Sequence, residues 1–146
     1  MIYGNNHNDK KLKAEINELV GQPFGFLERL KLGGNGSPRI GIVDLSPALK
    51  EKFGESSERK FINIELRDKG ILVYFRNHVN NYVWPIPFYH LSIFQSGTFN
   101  LHAHGLFLKL DTNASKDKFI GKMMDAKTAY GKKFSNQLGE VNQDLS

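Results

Sequence analysis

His102 and His104 stand two positions apart. On a strand, imidazoles at that spacing point to one face, a usual start for a metal site. His90 lies upstream and is a third donor that the fold would have to bring in. A glutamate a few residues on would complete a common β-barrel metal pattern. Instead Gly105-Leu106-Phe107-Leu108-Lys109 follows, and no histidine lies downstream. A turn over Ala103–Gly105 would part the pair onto different faces. Structural or surface histidines are the ordinary alternative. Other sources of chemistry are sparse. The chain has no cysteine, which removes disulfides, cysteine–zinc sites and thiol catalysis. Ser46, Ser92 and Ser96 lie outside any Gly-x-Ser-x-Gly elbow. The Gly33–Gly36 loop lacks the Gly-Lys-Ser/Thr ending of a phosphate loop and reads as a flexible hairpin loop. Glu65, Asp68 and Asp111 are scattered at strand ends and give no evident acid–base pair. No catalytic residue and no cofactor is therefore predicted.

Charge and aromatic rings are better supplied. The net charge is +5, and 11 phenylalanines are present. Lys116, Lys118, Lys122, Lys127, Lys132 and Lys133 face only Asp117 and Asp125. That cluster reads as a solvated helix face, with a docking patch as the alternative. Tyr74, Phe75, Arg76, Tyr82 and Trp84 interleave rings with a base, a pattern that on a β-platform binds single-stranded nucleic acid. The same rings read equally as strand core. Trp84, Ile86 and Phe88, beside backbone that prolines leave unpaired, are candidate interface residues with Trp84 as anchor.

The length fits one domain with a core large enough to fold without disulfide or metal. Residues 1–9 are polar and expected to be loose. Leu12, Ile16, Leu19 and Val20 mark one face of a short helix over 10–20, stopped by Gly21 and Pro23. Strands are predicted over Phe24–Leu32 and Arg39–Leu45. Ser46 as N-cap and Pro47 at the first helical position open a helical insertion to Phe53, with Gly54 as its stop. Lys60–Arg67 alternates, turns at Asp68-Lys69-Gly70 and returns as Ile71–Arg76. Tyr82–Phe94 reads as one long extended segment. Pro85 and Pro87 within it remove donors on the same side, which argues for an edge, a bulge or a break. Thr98–His102 and Leu106–Leu110 form a last hairpin. After Asp111 the period becomes 3.6: Phe119, Ile120, Met123, Met124, Ala126 and Tyr130 line one face of a helix over 115–134, with Phe134 a turn further on and Asn113 or Ser115 as its cap. A polar tail fills 135–146. Nothing reads as a signal peptide, and no stretch approaches the roughly 20 apolar residues of a membrane span. A cytoplasmic location is predicted.

Seven antiparallel strands followed by one helix is the order of pleckstrin-homology-like domains. Ile62-Asn63-Ile64-Glu65-Leu66-Arg67-Asp68-Lys69-Gly70-Ile71-Leu72-Val73-Tyr74 resembles their strand–DxG–strand element. Trp84-Pro85-Ile86-Pro87-Phe88-Tyr89-His90-Leu91 resembles the IPY-x-x-I segment of the bacterial members. Leu101–Leu108 resembles the last hairpin before the helix. The resemblance spans Phe24–Phe134 and departs from the family at the leading helix and the Pro47–Phe53 insertion. It implies a mainly β fold: a seven-stranded antiparallel barrel or sandwich capped by a C-terminal helix, with a short extra N-terminal helix. It also implies a non-catalytic binding or self-assembly module, with a protein partner or a second copy of the chain. Some family members grip phosphoinositides with Lys and then Lys/Arg-x-Arg. Lys31 and Arg39 match the first two places as ligand-binding candidates, and Gly41 stands where the third would be. Alternatives are a small metal- or ligand-binding barrel enzyme using His90, His102 and His104, or a binder of nucleic acid or an anionic surface such as a lipid headgroup.

Overall fold

The structure, a computed structural model, describes residues 2–4, 9–55, 57–113 and 117–144, with backbone alone at 96 and 134–144. Helix α1 (Lys10–Val20) opens at Asp9, whose carboxylate accepts the Lys11 N–H at 3.0 Å, and stops at Gly21, where φ is +92°. It buries Ile16 and Val20 of the predicted stripe. Helix α2 (Phe26–Leu32) replaces the strand predicted over Phe24–Leu32. Gly25 sits at its N-cap and Gly33 takes the left-handed conformation at its end. Between these two boundaries the run Leu27-Glu28-Arg29-Leu30-Lys31 consists of straight-chain helix formers. That local preference outweighs the apparent alternation of Phe24 and Phe26.

Strands β1 (Tyr3–Gly4), β2 (Ile40–Leu45), β3 (Phe61–Leu66), β4 (Gly70–Arg76), β5 (Asn81–Pro87), β6 (Ser92–Ser96), β7 (Thr98–Ala103) and β8 (Leu106–Leu110) form one antiparallel sheet in the order β1-β5-β4-β3-β2-β8-β7-β6. Three differences from expectation follow. Tyr3–Gly4 is a short strand on β5 rather than loose chain. The segment 82–94 breaks at Phe88–His90, a single 3-10 turn. Its prolines explain the break: Pro85 and Pro87 pair with Leu72 and Gly70 of β4, while β1 reaches only Tyr82 and Val83. Finally, the two ends of the sheet, β1 and β6, do not pair, so the expected barrel is not closed.

Strand β2 serves both halves of the sheet. It pairs with β3 through Ile40 and Gly41 and with β8 through Ile42, Asp44 and Leu45, with a register shift at Val43. A bulge of this kind bends a strand and increases its twist. Helix α3 (Pro47–Phe53) is the predicted insertion, with Pro47 in its first turn and Gly54 at its end. Ser46 holds the N-cap position, yet its hydroxyl accepts the Phe107 N–H at 3.1 Å instead of capping the helix. Helix α4 (Lys118–Asp144) starts at Asp117, which accepts the Phe119 N–H at 2.9 Å, and runs on through residues expected to be a tail. Ser115, proposed as cap, and Lys116 lie outside the described residues.

The core fills the space between the inner face of the sheet, α3 and α4. Trp84, Phe99, Leu101, Ile62, Ile64 and Leu108 are among its largest fully buried members, and Phe119, Ile120 and Met123 close it from α4. Met124, Ala126 and Tyr130 pack at its margin, as the 3.6-residue period predicted. A second, smaller cluster lies on the other face: Ile16 and Val20 of α1 cover Leu72 of β4 and Val83 of β5. The N-terminal helix thus packs on its own chain, and β4 is covered on both sides. Among the described residues no helix is long and apolar enough to cross a membrane.

Arg67 fastens α1 in place. Only 6% exposed, it pairs with Glu65 at 2.5 Å and donates to the Asn17 side chain at 3.0 Å and to the Gly21 carbonyl at 2.8 Å. The Lys69 N–H adds a bond to the Val20 carbonyl at 3.1 Å. Gly70 has no room for a side chain: a Cβ would lie 2.4 Å from the Ile86 carbonyl oxygen. Arg67→Ala is expected to destabilise the fold by roughly 3 kcal/mol, because it strands Glu65 and two acceptors of α1. Gly70→Ala is expected to destabilise it too. Urea unfolding followed by the emission of Trp84, the sole tryptophan, measures both.

Candidate functional site

The histidines come first. His104 and Gly105 are the two turn residues between β7 and β8, with φ of +52° and +74°, so the hairpin closes as a tight turn with both residues left-handed. The pair His102 and His104 is therefore divided, as a turn at this point requires. His102 lies on β7 with Phe94 5.0 Å away edge-on and Phe107 5.7 Å away. His104 meets His90, ring centroids 4.8 Å apart, and His90 in turn meets Tyr89 at 4.3 Å. Two of the three histidines converge at an exposed surface, and the third belongs to a separate aromatic contact. No group of three or more His, Cys, Asp or Glu among the described residues is placed to hold a metal ion, so the three-histidine site is not formed.

The interface residues fare differently. Trp84 and Ile86 are 0% exposed and Phe88 is 2% exposed. All three face the chain's own core, which removes them as a surface for a partner. The rings of the proposed nucleic-acid platform also divide. Phe75 and Trp84 point inward. Tyr74 remains half-buried on the outer face, and Tyr82 lies at the margin, stacked on Phe75 at 5.1 Å.

A concavity of about 870 Å³ lies at the end of β2–β5 nearest the β4–β5 turn. Arg39, Arg59, Lys60 and Arg76 contribute its positive charge, and Phe61, Tyr74 and Tyr82 its rings. Arg39 lies flat over Phe61, its guanidinium carbon 3.9 Å from the ring centroid, and Arg59 approaches the same ring at 5.5 Å. Arg59 also pairs with Asp111. Its guanidinium lies across Gly41, where a Cβ would come within 2.6 Å of its Nη2. The position where the resemblance calls for a third base is thus covered by an arginine from the loop before β3. Lys31, by contrast, is on the exposed surface of α2 and does not line this groove.

One wall is built by a single asparagine. The Asn77 side-chain Oδ1 accepts the Val79 and Asn80 N–H groups at 2.8 and 2.7 Å, and its Nδ2 donates to the Lys52 carbonyl at 2.7 Å. The turn is therefore tied to α3. Lys52 stands 5.3 Å over the Tyr82 ring. At the groove's floor the Tyr74 hydroxyl is pushed up to about 12, first by burial and then by the Glu65 carboxylate to which it bonds. It remains a protonated donor throughout the neutral range.

No protein-family model, curated protein or solved structure matches this chain. The groove therefore has to be interpreted from its own chemistry. Arg59 and Phe61 were not singled out in the sequence, and the signal available there was the alternation of Arg59, Phe61 and Asn63 before a turn.

Burial, with the neighbouring positive charge of His90 adding to it, lowers the His104 pKa below the ordinary 6.5. The folded state thus takes up its proton later than the unfolded chain does. Stability is unaffected well above pH 6.5 and falls as the pH drops through that value. His104→Asn, which tolerates the positive φ, is expected to reduce this acid-side loss. Titration of the imidazole resonances by NMR should give a His104 midpoint below 6.5 that moves up when His90 is replaced by alanine.

Proposed function

We propose that this chain is a non-catalytic binding module of pleckstrin-homology-like type, and that its groove takes a phosphate carried beside a planar ring, as in a nucleotide. The observation that carries this is the stacking of Arg39 on Phe61 with Arg59 on the same ring. An arginine held flat against a ring has lost much of its conformational freedom before any ligand arrives. Its edge N–H groups still point outward in the fork that matches two phosphate oxygens. Arg76 adds a further positive charge to the lining, and Tyr74 offers a ring face whose hydroxyl is held by Glu65.

The meander order from β5 through β2 to β6, with a helix placed last over the core, supports the pleckstrin-homology-like reading. The low acid content of the groove supports a binding role over a catalytic one. Glu58 is its only carboxylate among the described lining residues, whereas acid–base catalysis calls for a positioned pair. The absence of cysteine agrees with a reducing cytosol.

Titration of the full chain with ATP, inorganic phosphate and a short single-stranded oligonucleotide tests this. ATP is expected to bind more tightly than phosphate alone, and less tightly as salt rises. Arg39→Ala is expected to weaken ATP binding by about tenfold or more, the loss of one bidentate charged contact. Tighter binding of the oligonucleotide than of ATP would extend the ligand to a strand. Binding of none of the three, or binding that Arg39→Ala and Arg76→Gln leave unchanged, overturns the reading.

A further inference from the structure

The seven residues of α2 bury none of their side chains, and Phe26, Leu27 and Leu30 are 68, 71 and 62% exposed. They account for three of the seven large apolar residues left exposed among those described. A run of three such side chains on one short helix is unlike the scattered exposure ordinary for a surface. Positions 26, 27 and 30 fall within an arc of about 100° on the helix, because Leu30 lies four residues from Phe26 and three from Leu27. Around them stand Arg29 and Lys31 of the same helix and Lys122 of α4, which reaches across to donate to the Gly33 carbonyl at 3.2 Å. Glu28 is the one acid in the helix.

We infer that α2 is a membrane-surface wedge: Phe26, Leu27 and Leu30 enter the headgroup boundary of an anionic bilayer while Arg29, Lys31 and Lys122 meet its phosphates. Two observations favour lipid over a second copy of the chain. The first is area. A helix of seven residues is about 10 Å long and presents three side chains, well short of the roughly 800 Å² that each partner of a stable protein interface buries. A lipid surface asks for no complementary shape. The second is charge, because the rim of the apolar face is net positive, which suits phosphate headgroups and opposes a like surface. The helix is bounded by glycines at both ends and carries no core residue, so its insertion leaves the sheet and α4 undisturbed. This surface is separate from the nucleotide groove, which neither Lys31 nor any α2 residue lines.

Co-sedimentation of the full chain with vesicles tests it. The chain is expected to bind vesicles of phosphatidylglycerol mixed with phosphatidylcholine and to leave pure phosphatidylcholine in the supernatant. Phe26→Ser with Leu30→Ser, which keeps every charge, is expected to weaken binding by about tenfold or more. Arg39→Ala, in the groove, is expected to leave it intact. Both variants change exposed residues, and unaltered Trp84 emission confirms that each is folded. Failure of the native chain to bind the anionic vesicles overturns the inference. So does binding that the serine variant retains, which would mean charge alone. A native dimer in sedimentation velocity that the serine variant converts to monomer assigns α2 to a second copy instead.

Discussion

A buried guanidinium at the meeting of α1 and the β3–β4 hairpin sets the terms for much of this fold. Removing Arg67 from water is expensive, and the expense is met by three acceptors: the Glu65 carboxylate, the Asn17 side chain and the Gly21 carbonyl. Two of these belong to the end of α1, so the charge is satisfied only when that helix is docked. Docking lays Ile16 and Val20 over Leu72 and Val83 and covers the outer face of β4 and β5. The near-continuous apolar run Ile71–Phe75 is thereby accounted for, since a strand buried on both faces has no polar side to alternate with. The same polar chain continues from Glu65 to the Tyr74 hydroxyl, which links the anchoring of α1 to the floor of the groove.

Legibility in the sequence followed the range of the determining interaction. The stripe Phe119, Ile120 and Met123 and the hairpin around Asp68-Lys69-Gly70 were readable because their pattern is local and strongly periodic. Helix α2 departs from its surface pattern: two aromatic residues two apart look like a strand, while its glycine boundaries and helix formers decide the backbone. The long segment after Tyr82 carried its own warning in Pro85 and Pro87, and the break lies immediately beyond them. Trp84 shows the limit of composition: an aromatic next to prolines suggests a surface anchor, and only the packing of β5 against β4 places it inside. The groove was the least legible element. Arg39 and Arg59 are separated by a whole helix in sequence, and their meeting over Phe61 depends on β2 and β3 returning side by side.

Gly41 illustrates how a motif can be absent in sequence and its space still be filled. The side chain that a pattern would demand there is missing, and that vacancy lets Arg59 lie flat across the strand, braced by Asp111. Charge at a given place on a sheet does not have to come from the residue directly beneath it. The histidines show the converse. A spacing that fits a ligand pair was dissolved by a two-residue turn, and the new neighbour of His104 is a ring from a different element.

Strand β2 has a consequence for how the chain acquires its shape. The hairpins β3–β4–β5 and β6–β7–β8 each join neighbours in sequence, whereas the contact between Ser46 and Phe107 spans 61 positions. Closing so long a loop costs entropy before any contact returns it, so the search for this one seam weighs on the folding rate more than either meander does. The hydroxyl that Ser46 withholds from α3 is spent at that seam, holding the two halves of the sheet together.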